Sequence, residues 1–157
     1  MSSHENLAPR LVAWEATRAC NLACVHCRAE AQPFAHPDQL TTAEALRLVD
    51  QIAAFARPIF IITGGNPLMR DDIFEVAGYA NAKGFRVVMS PSGTNVTPDL
   101  VRQMRAVGVQ RISVSIDGPN AAVHDAFRQV PGAFDDVITS LAYAREGGLP
   151  FQINTTV

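Results

Sequence analysis

The fold turns on Ile59-Phe60-Ile61-Ile62-Thr63-Gly64-Gly65-Asn66-Pro67. Its first four residues are continuously apolar and β-branched or aromatic, the pattern of a parallel strand buried on both faces. The glycines then end the strand at the carboxyl edge of a sheet, which is where ligands of parallel α/β folds bind. Glycine at such a point lets backbone approach a ligand closely, or simply allows a tight strand-to-helix turn.

Outward from this strand, apolar runs at 11–16, 85–90, 111–117 and 151–157 read as further strands, with helical patterns between them. The first helix opens at Thr41-Thr-Ala-Glu44, a capping box, and runs to about Phe55 with Ala45, Leu48, Val49 and Ile52 on one stripe. A second follows Asp71-Asp72, whose carboxylates suit a helix N-terminus, and ends near Gly84. A third starts at Thr97-Pro98, with proline at the first helical position, and stops at Gly108. Asp117-Gly-Pro reads as a turn, and the last helix covers 133–146, closed by Gly147-Gly148. Strands alternating with helices in this way predict a parallel α/β sheet with right-handed crossovers.

A chain of 157 residues, 48% apolar with a net charge of -2, suffices for one sizeable core and is short for two. Basic and acidic residues are interspersed, so there is no electrostatic footprint for nucleic acid. Residues 1–9 read as a flexible tail; Met1-Ser-Ser-His-Glu-Asn6 lacks the basic segment and apolar stretch of a signal peptide. No apolar run approaches the roughly 20 residues that span a bilayer. The expected location is the cytoplasm, with no membrane association.

Cys20, Cys24 and Cys27 are the only cysteines, spaced C-x3-C-x2-C just after the first strand. An odd number of close cysteines in such a protein argues for metal or redox chemistry over a disulfide framework. Three thiolates can hold three irons of a [4Fe–4S] cube and leave the fourth iron open to a substrate, where an electron-transfer site would use four cysteines. Three other readings stand beside this one. His26 makes a Cys3His zinc site formally available, although adjacent His26 and Cys27 are awkward ligands for one tetrahedral ion. Cys24-x-x-Cys27 is also a thiol–disulfide spacing, and the cysteines could be structural. The loop's position after strand one, together with the glycine motif after strand two, favours iron–sulfur; His26 is then expected to pack beside the cluster.

Cys20-Asn-Leu-Ala-Cys24-Val-His-Cys27 followed by Thr63-Gly-Gly-Asn-Pro67 resembles the radical S-adenosylmethionine (SAM) superfamily over nearly the whole chain. The likeness is strongest to its haem-maturing and peptide-modifying branch, whose members usually continue into a C-terminal region carrying extra clusters. The resemblance implies that the sheet is the first part of a partial (β/α)6 TIM-like barrel, truncated after the fifth strand, with an uncovered edge open to self-association or a partner chain. It implies a [4Fe–4S] cluster on the three cysteines, SAM on the open iron, and an external one-electron donor of flavodoxin or ferredoxin type. The enzyme's reaction would be reductive cleavage of SAM to a 5′-deoxyadenosyl radical that abstracts a substrate hydrogen. The alternative is a non-catalytic cluster- or SAM-binding domain that needs a partner chain.

The resemblance also implies SAM contacts. Gly64, Gly65, Asn66 and Pro67 would position its ammonium group. Asn66 stands where the family usually has Glu or Asp, and replacing a charged acceptor with a neutral one is expected to weaken SAM binding by roughly 5–10-fold. Ser90, Ser92 and Thr94 after the third strand, Ser115 and Asp117 at the end of the fourth, and Asn154 and Thr156 on the fifth are delivered to the same end of the sheet. Of these, Ser90, Ser115 and Asp117, with Arg128, are the candidates for the ribose, carboxylate or adenine. Each has a plainer reading: Asp117 as a turn residue, Arg128 as a solvated surface charge.

Overall fold

The computed structural model describes residues 8–156, so the expected tail falls mostly outside the described residues. One sheet carries five parallel strands in chain order: β1 (Leu11–Thr17), β2 (Ile59–Gly64), β3 (Arg86–Met89), β4 (Ile112–Ser115) and β5 (Phe151–Asn154). The helices between them are α1 (Thr42–Ala53), α2 (Ile73–Ala82), α3 (Pro98–Ala106), α4 (Ala121–Arg128) and α5 (Ala133–Glu146). This is the α/β architecture expected from the alternation, with one helix more than the sequence reading contains.

Local chemistry accounts for the boundaries. Thr41 and Glu44 form the capping box that starts α1, and the Thr97 and Asn120 side chains accept from Leu100 and Val123 N–H to start α3 and α4. Asp72 departs from its expected role. It stands at the N-cap position of α2 without a side-chain cap bond, because its carboxylate is taken by Arg70 (2.5 and 2.8 Å) and Thr42 (2.6 Å). Arg70, itself buried, also donates to the Ala16 carbonyl at 3.0 Å and lies over the Trp14 ring. The pair therefore ties the ends of β1 and the 3₁₀ turn Pro67–Met69 to the start of α1 and α2.

The helices pack on one face of the sheet. Phe60, Ile62, Val87, Met89, Ile112 and Val114 alternate along three strands to fill that face, and all are essentially fully buried. Each such side chain contributes about 1.5–3 kcal/mol relative to exposure. Ile59, Ile61 and Thr63 are only half-buried, so β2 is not sealed on both faces as its apolar run predicts. The other face is the inner wall of a partial barrel, and it turns polar toward the carboxyl end with Thr63, Ser113, Ser115 and Asn154. β3 and β4 pair in register only at Met89↔Ile112, and beyond that point the two strands are bridged by a Ser90–Ser113 hydroxyl contact of 2.6 Å. β5 ends at Asn154 and not at 157, and its residues are exposed, Phe151 by 37% and Ile153 by 48%. Among the described residues no helix is long and apolar enough to cross a membrane.

Candidate active site

At the carboxyl end of β1 the register slips between Glu15 and Thr17, and this irregularity releases the chain into the cysteine loop. The glycine turn then docks against it: Gly65 N donates to Thr17 O (2.8 Å) and Asn66 N to Ala19 O (2.7 Å). These approaches explain the glycines. A Cβ on Gly64 would lie 2.3 Å from the Thr17 carbonyl oxygen, and one on Gly65 2.3 Å from that of Ala19. Gly64 moreover has φ +130°, a conformation side chains rarely adopt.

All three cysteines are free thiols on the wall of one cavity of about 320 Å³. Gly64, Gly65, Ser90, Ser115 and Arg128 line the same cavity, as do Ser92 and Asn154. Each sulfur accepts one N–H donor: Cys20 from Leu22 N (3.4 Å), Cys27 from Ala31 N (3.4 Å) and Cys24 from Arg128 Nη1 (3.2 Å). Burial pushes the Cys20 thiol up, and the neighbouring Cys24 and Cys27 add to this. His26 lines the cavity and stacks on Phe127 with ring centroids 4.3 Å apart, a packing role beside the thiols.

Asn66, Pro67, Asp117, Thr94 and Thr156 are not on the cavity wall. Asn66 is 4% exposed and caps the 3₁₀ turn. Its Oδ1 accepts from Leu68 N (3.2 Å) and Ser92 N (3.4 Å), and its Nδ2 donates to Asn21 Oδ1 (3.0 Å). Asn21 also accepts from Ser92 Oγ at 3.1 Å and donates to Thr94 Oγ1. The side chain expected to face the SAM ammonium is thus committed to a neutral network that fastens the cysteine loop to the turns after β2 and β3.

Asp117 stands behind Arg128. Its Oδ2 accepts from Arg128 Nη2, and its Oδ1 from Thr156 N at 2.8 Å. Burial alone would raise the Asp117 carboxyl, but Thr156 N–H and the Arg128 guanidinium more than offset it and the net shift is downward. Arg128 is 9% exposed, so it is not a solvated surface charge. It ends α4, the helix absent from the sequence reading. The Phe127 and Arg128 carbonyls of that helix accept from Val25 N (3.1 Å) and Ala23 N (3.2 Å), on either side of Cys24. His124, another buried residue of α4, accepts the Asp117 backbone N–H at Nδ1 (3.1 Å); burial, then the Arg128 charge, push its pKa down, which suits that acceptor role. Asn120 before Ala121-Ala-Val-His-Asp was the available signal for α4.

The donor set suits a multi-iron cluster. Among the described residues no three His, Cys, Asp or Glu side chains are gathered as ligands of a single metal ion. A cube asks less convergence, because each thiolate binds its own iron, and the three sulfurs facing one cavity with room beside them meet that demand.

Comparison with known proteins agrees. Residues 14–157 match the Radical SAM superfamily. The chain is 55% identical over 148 residues to an AdoMet-dependent heme synthase of Nitratidesulfovibrio vulgaris, covering 94% of this chain and 40% of that protein. It is 51% identical over 150 residues to an AdoMet-dependent heme synthase of Methanosarcina barkeri, covering 96% and 43%. The crystal structure of Streptococcus suis SuiB bound to S-adenosylmethionine superposes with a TM-score of 0.79 at 16% identity, over 94% of this chain and 34% of that one. The chain thus spans about 40% of the length of the curated relatives it matches. It belongs to the radical SAM superfamily, whose cofactors are a [4Fe–4S] cluster and S-adenosylmethionine.

Proposed function

We propose that this chain is the cluster- and SAM-binding part of a radical SAM enzyme acting on a haem precursor. The observation that carries the reading is the convergence of the Cys20, Cys24 and Cys27 sulfurs and the Gly64-Gly65 turn on one cavity. The two heme synthases at 55% and 51% identity support the substrate class over a peptide.

When bound, the cluster and SAM supply one-electron reductive cleavage to methionine and a 5′-deoxyadenosyl radical that abstracts a substrate hydrogen. The chain's own residues bind and orient. Cys20, Cys24 and Cys27 would hold three irons as thiolates on the cavity wall. Gly64 and Gly65 would offer backbone to SAM, with Ser90, Ser115 and Arg128 supplying hydroxyls and a positive charge on the same wall. Asn66, Pro67 and Asp117 act from behind by fixing the turn and Arg128. The electron would come from a flavodoxin- or ferredoxin-type donor in the cytoplasm.

Anaerobic reconstitution with iron and sulfide tests the reading. The expected protein is brown, holds about four irons per chain, changes its reduced EPR spectrum on adding SAM, and releases 5′-deoxyadenosine. Cys24→Ala should abolish the cluster. Full iron content in that variant would overturn the ligand assignment.

A further inference from the structure

The three cysteines differ in what donates to them. Cys20 and Cys27 receive backbone N–H groups of the loop itself, whereas Cys24 receives a guanidinium brought by the end of α4. That cation is not free to leave. Its Nη2 is held by the Asp117 carboxylate, which is fixed by Thr156 N at 2.8 Å and by the bond from its own backbone N–H to His124. Two backbone bonds from Ala23 and Val25 to the end of α4 hold the sulfur and the guanidinium in register. A buried charge laid against one sulfur, at 3.2 Å, with a counter-charge on its far side, is a means of setting an electrical potential.

We propose that Arg128 tunes the reduction potential of the cluster through Cys24, with Asp117 as the positioning residue that fixes how much of its charge the sulfur feels. The inference rests on the reading of Cys24 as a cluster ligand. Reduction adds one electron, and therefore one negative charge, to a cluster whose potential responds to net charge and to hydrogen bonds at its sulfurs. A cation at one sulfur favours the reduced form. Removing Arg128 should make the cluster harder to reduce. Removing only the Asp117 charge should make it easier, because the guanidinium is then uncompensated.

The two single variants should therefore shift the potential in opposite directions, which a merely structural role for the pair would not produce. The test uses reconstituted chain, checked for iron content, in EPR-monitored dithionite titrations. SAM is left out, so only contacts within the protein contribute. In Arg128→Gln the ratio of reduced to oxidised cluster at a fixed potential should fall roughly tenfold, about 59 mV for a one-electron couple. In Asp117→Asn it should rise, by a smaller factor. The double variant, with no charge orphaned, should fall between wild type and Arg128→Gln. Shifts of the two single variants in the same direction, or no shift in protein with full iron, would overturn the proposal. Should Arg128→Gln fail to hold iron, Asp117→Asn decides alone, since its amide keeps an acceptor for Arg128: a rise supports the proposal, and no change or a fall overturns it. Wild-type protein that takes up no iron would overturn the cluster reading itself, and the proposal with it.

Discussion

Gly65→Ala tests whether the glycine motif exists to seat the cysteine loop. The added Cβ would meet Ala19 O at 2.3 Å, Ala19 C at 2.8 Å and Arg18 O at 2.8 Å, all of them backbone atoms. To reach even 3.0 Å the Ala19 carbonyl must withdraw by 0.7 Å (3.0 − 2.3), and it is the acceptor of the 2.7 Å bond from Asn66 N. Overpacking of this kind costs about 1–3 kcal/mol. Losing the Asn66–Ala19 bond and loosening the Gly65–Thr17 bond adds about 0.5–1.5 kcal/mol each. A total near 4 kcal/mol, at about 2–4 °C per kcal/mol for a domain of this size, lowers the melting temperature by roughly 12 °C. Cys20 directly follows Ala19, so iron uptake should fall as well. Gly78→Ala, inside α2, is the contrast: its Cβ would meet Val107 Cβ at 3.6 Å and Cγ1 at 3.8 Å at the end of α3, ordinary contacts, and alanine there should stabilise by roughly 0.5–1 kcal/mol. Thermal unfolding of the reduced apo-protein, followed by iron determination after reconstitution, reads both effects. Wild-type melting and full iron in Gly65→Ala would refute the packing argument.

Three further outcomes are expected. Asn66→Asp should leave SAM affinity within about twofold of wild type by calorimetric titration, because the side chain already serves Leu68, Ser92 and Asn21; five- to tenfold tightening would show that it turns into the cavity. Burial pushes the Asp72 carboxyl up, but Arg70 and Thr42 pull it further down, so its stabilising effect is complete above the unfolded value of about 4 and is lost as pH falls through the lower folded value. Asp72→Asn should destabilise the chain at neutral pH and flatten the fall of urea-unfolding midpoints below about pH 4; an unchanged acid slope would remove Asp72 from the account. With Phe151 and Ile153 exposed on β5, the isolated chain should self-associate in light scattering, and Ile153→Lys should reduce this; identical monomeric profiles for both would refute it.

The elements with strong local signals were legible without coordinates. α5 occupies 133–146 as read, and the capping box at Thr41 and the Thr97-Pro98 start sit where the sequence places them. α4 was not legible for a physical reason: it has eight residues, and its buried residues are His124 and Arg128, so the stripe facing the protein interior carries polar side chains and breaks the apolar periodicity. The three cysteines and the two glycines could be placed at one end of the sheet because each set is confined to a short segment directly after a strand, and they do line one cavity. Asn66 and Asp117 were placed at the correct end of the sheet, but motif position cannot say which way a side chain points. Both proved to be partners of other side chains, Asn21 and Arg128, that lie 45 and 11 residues away in the chain.

That partnership has a consequence for how the cysteine loop is held. Its backbone at Ala19 is fastened to the turn after β2, its Asn21 side chain to the turns after β2 and β3, and its Ala23, Cys24 and Val25 to the end of α4. Three parts of the sheet and helix layer thus each hold a different part of one short loop, beside Cys20 in the first case and around Cys24 in the last. A cubic cluster fixes the relative positions of its thiolates, and a loop already constrained by rigid elements loses less conformational freedom on binding it than a free loop would. The same distribution makes the loop vulnerable away from its cysteines. A Cβ at Gly65 acts on Cys20 through the Arg18–Ala19 stretch of backbone without touching sulfur, and the loss should appear first in iron retention.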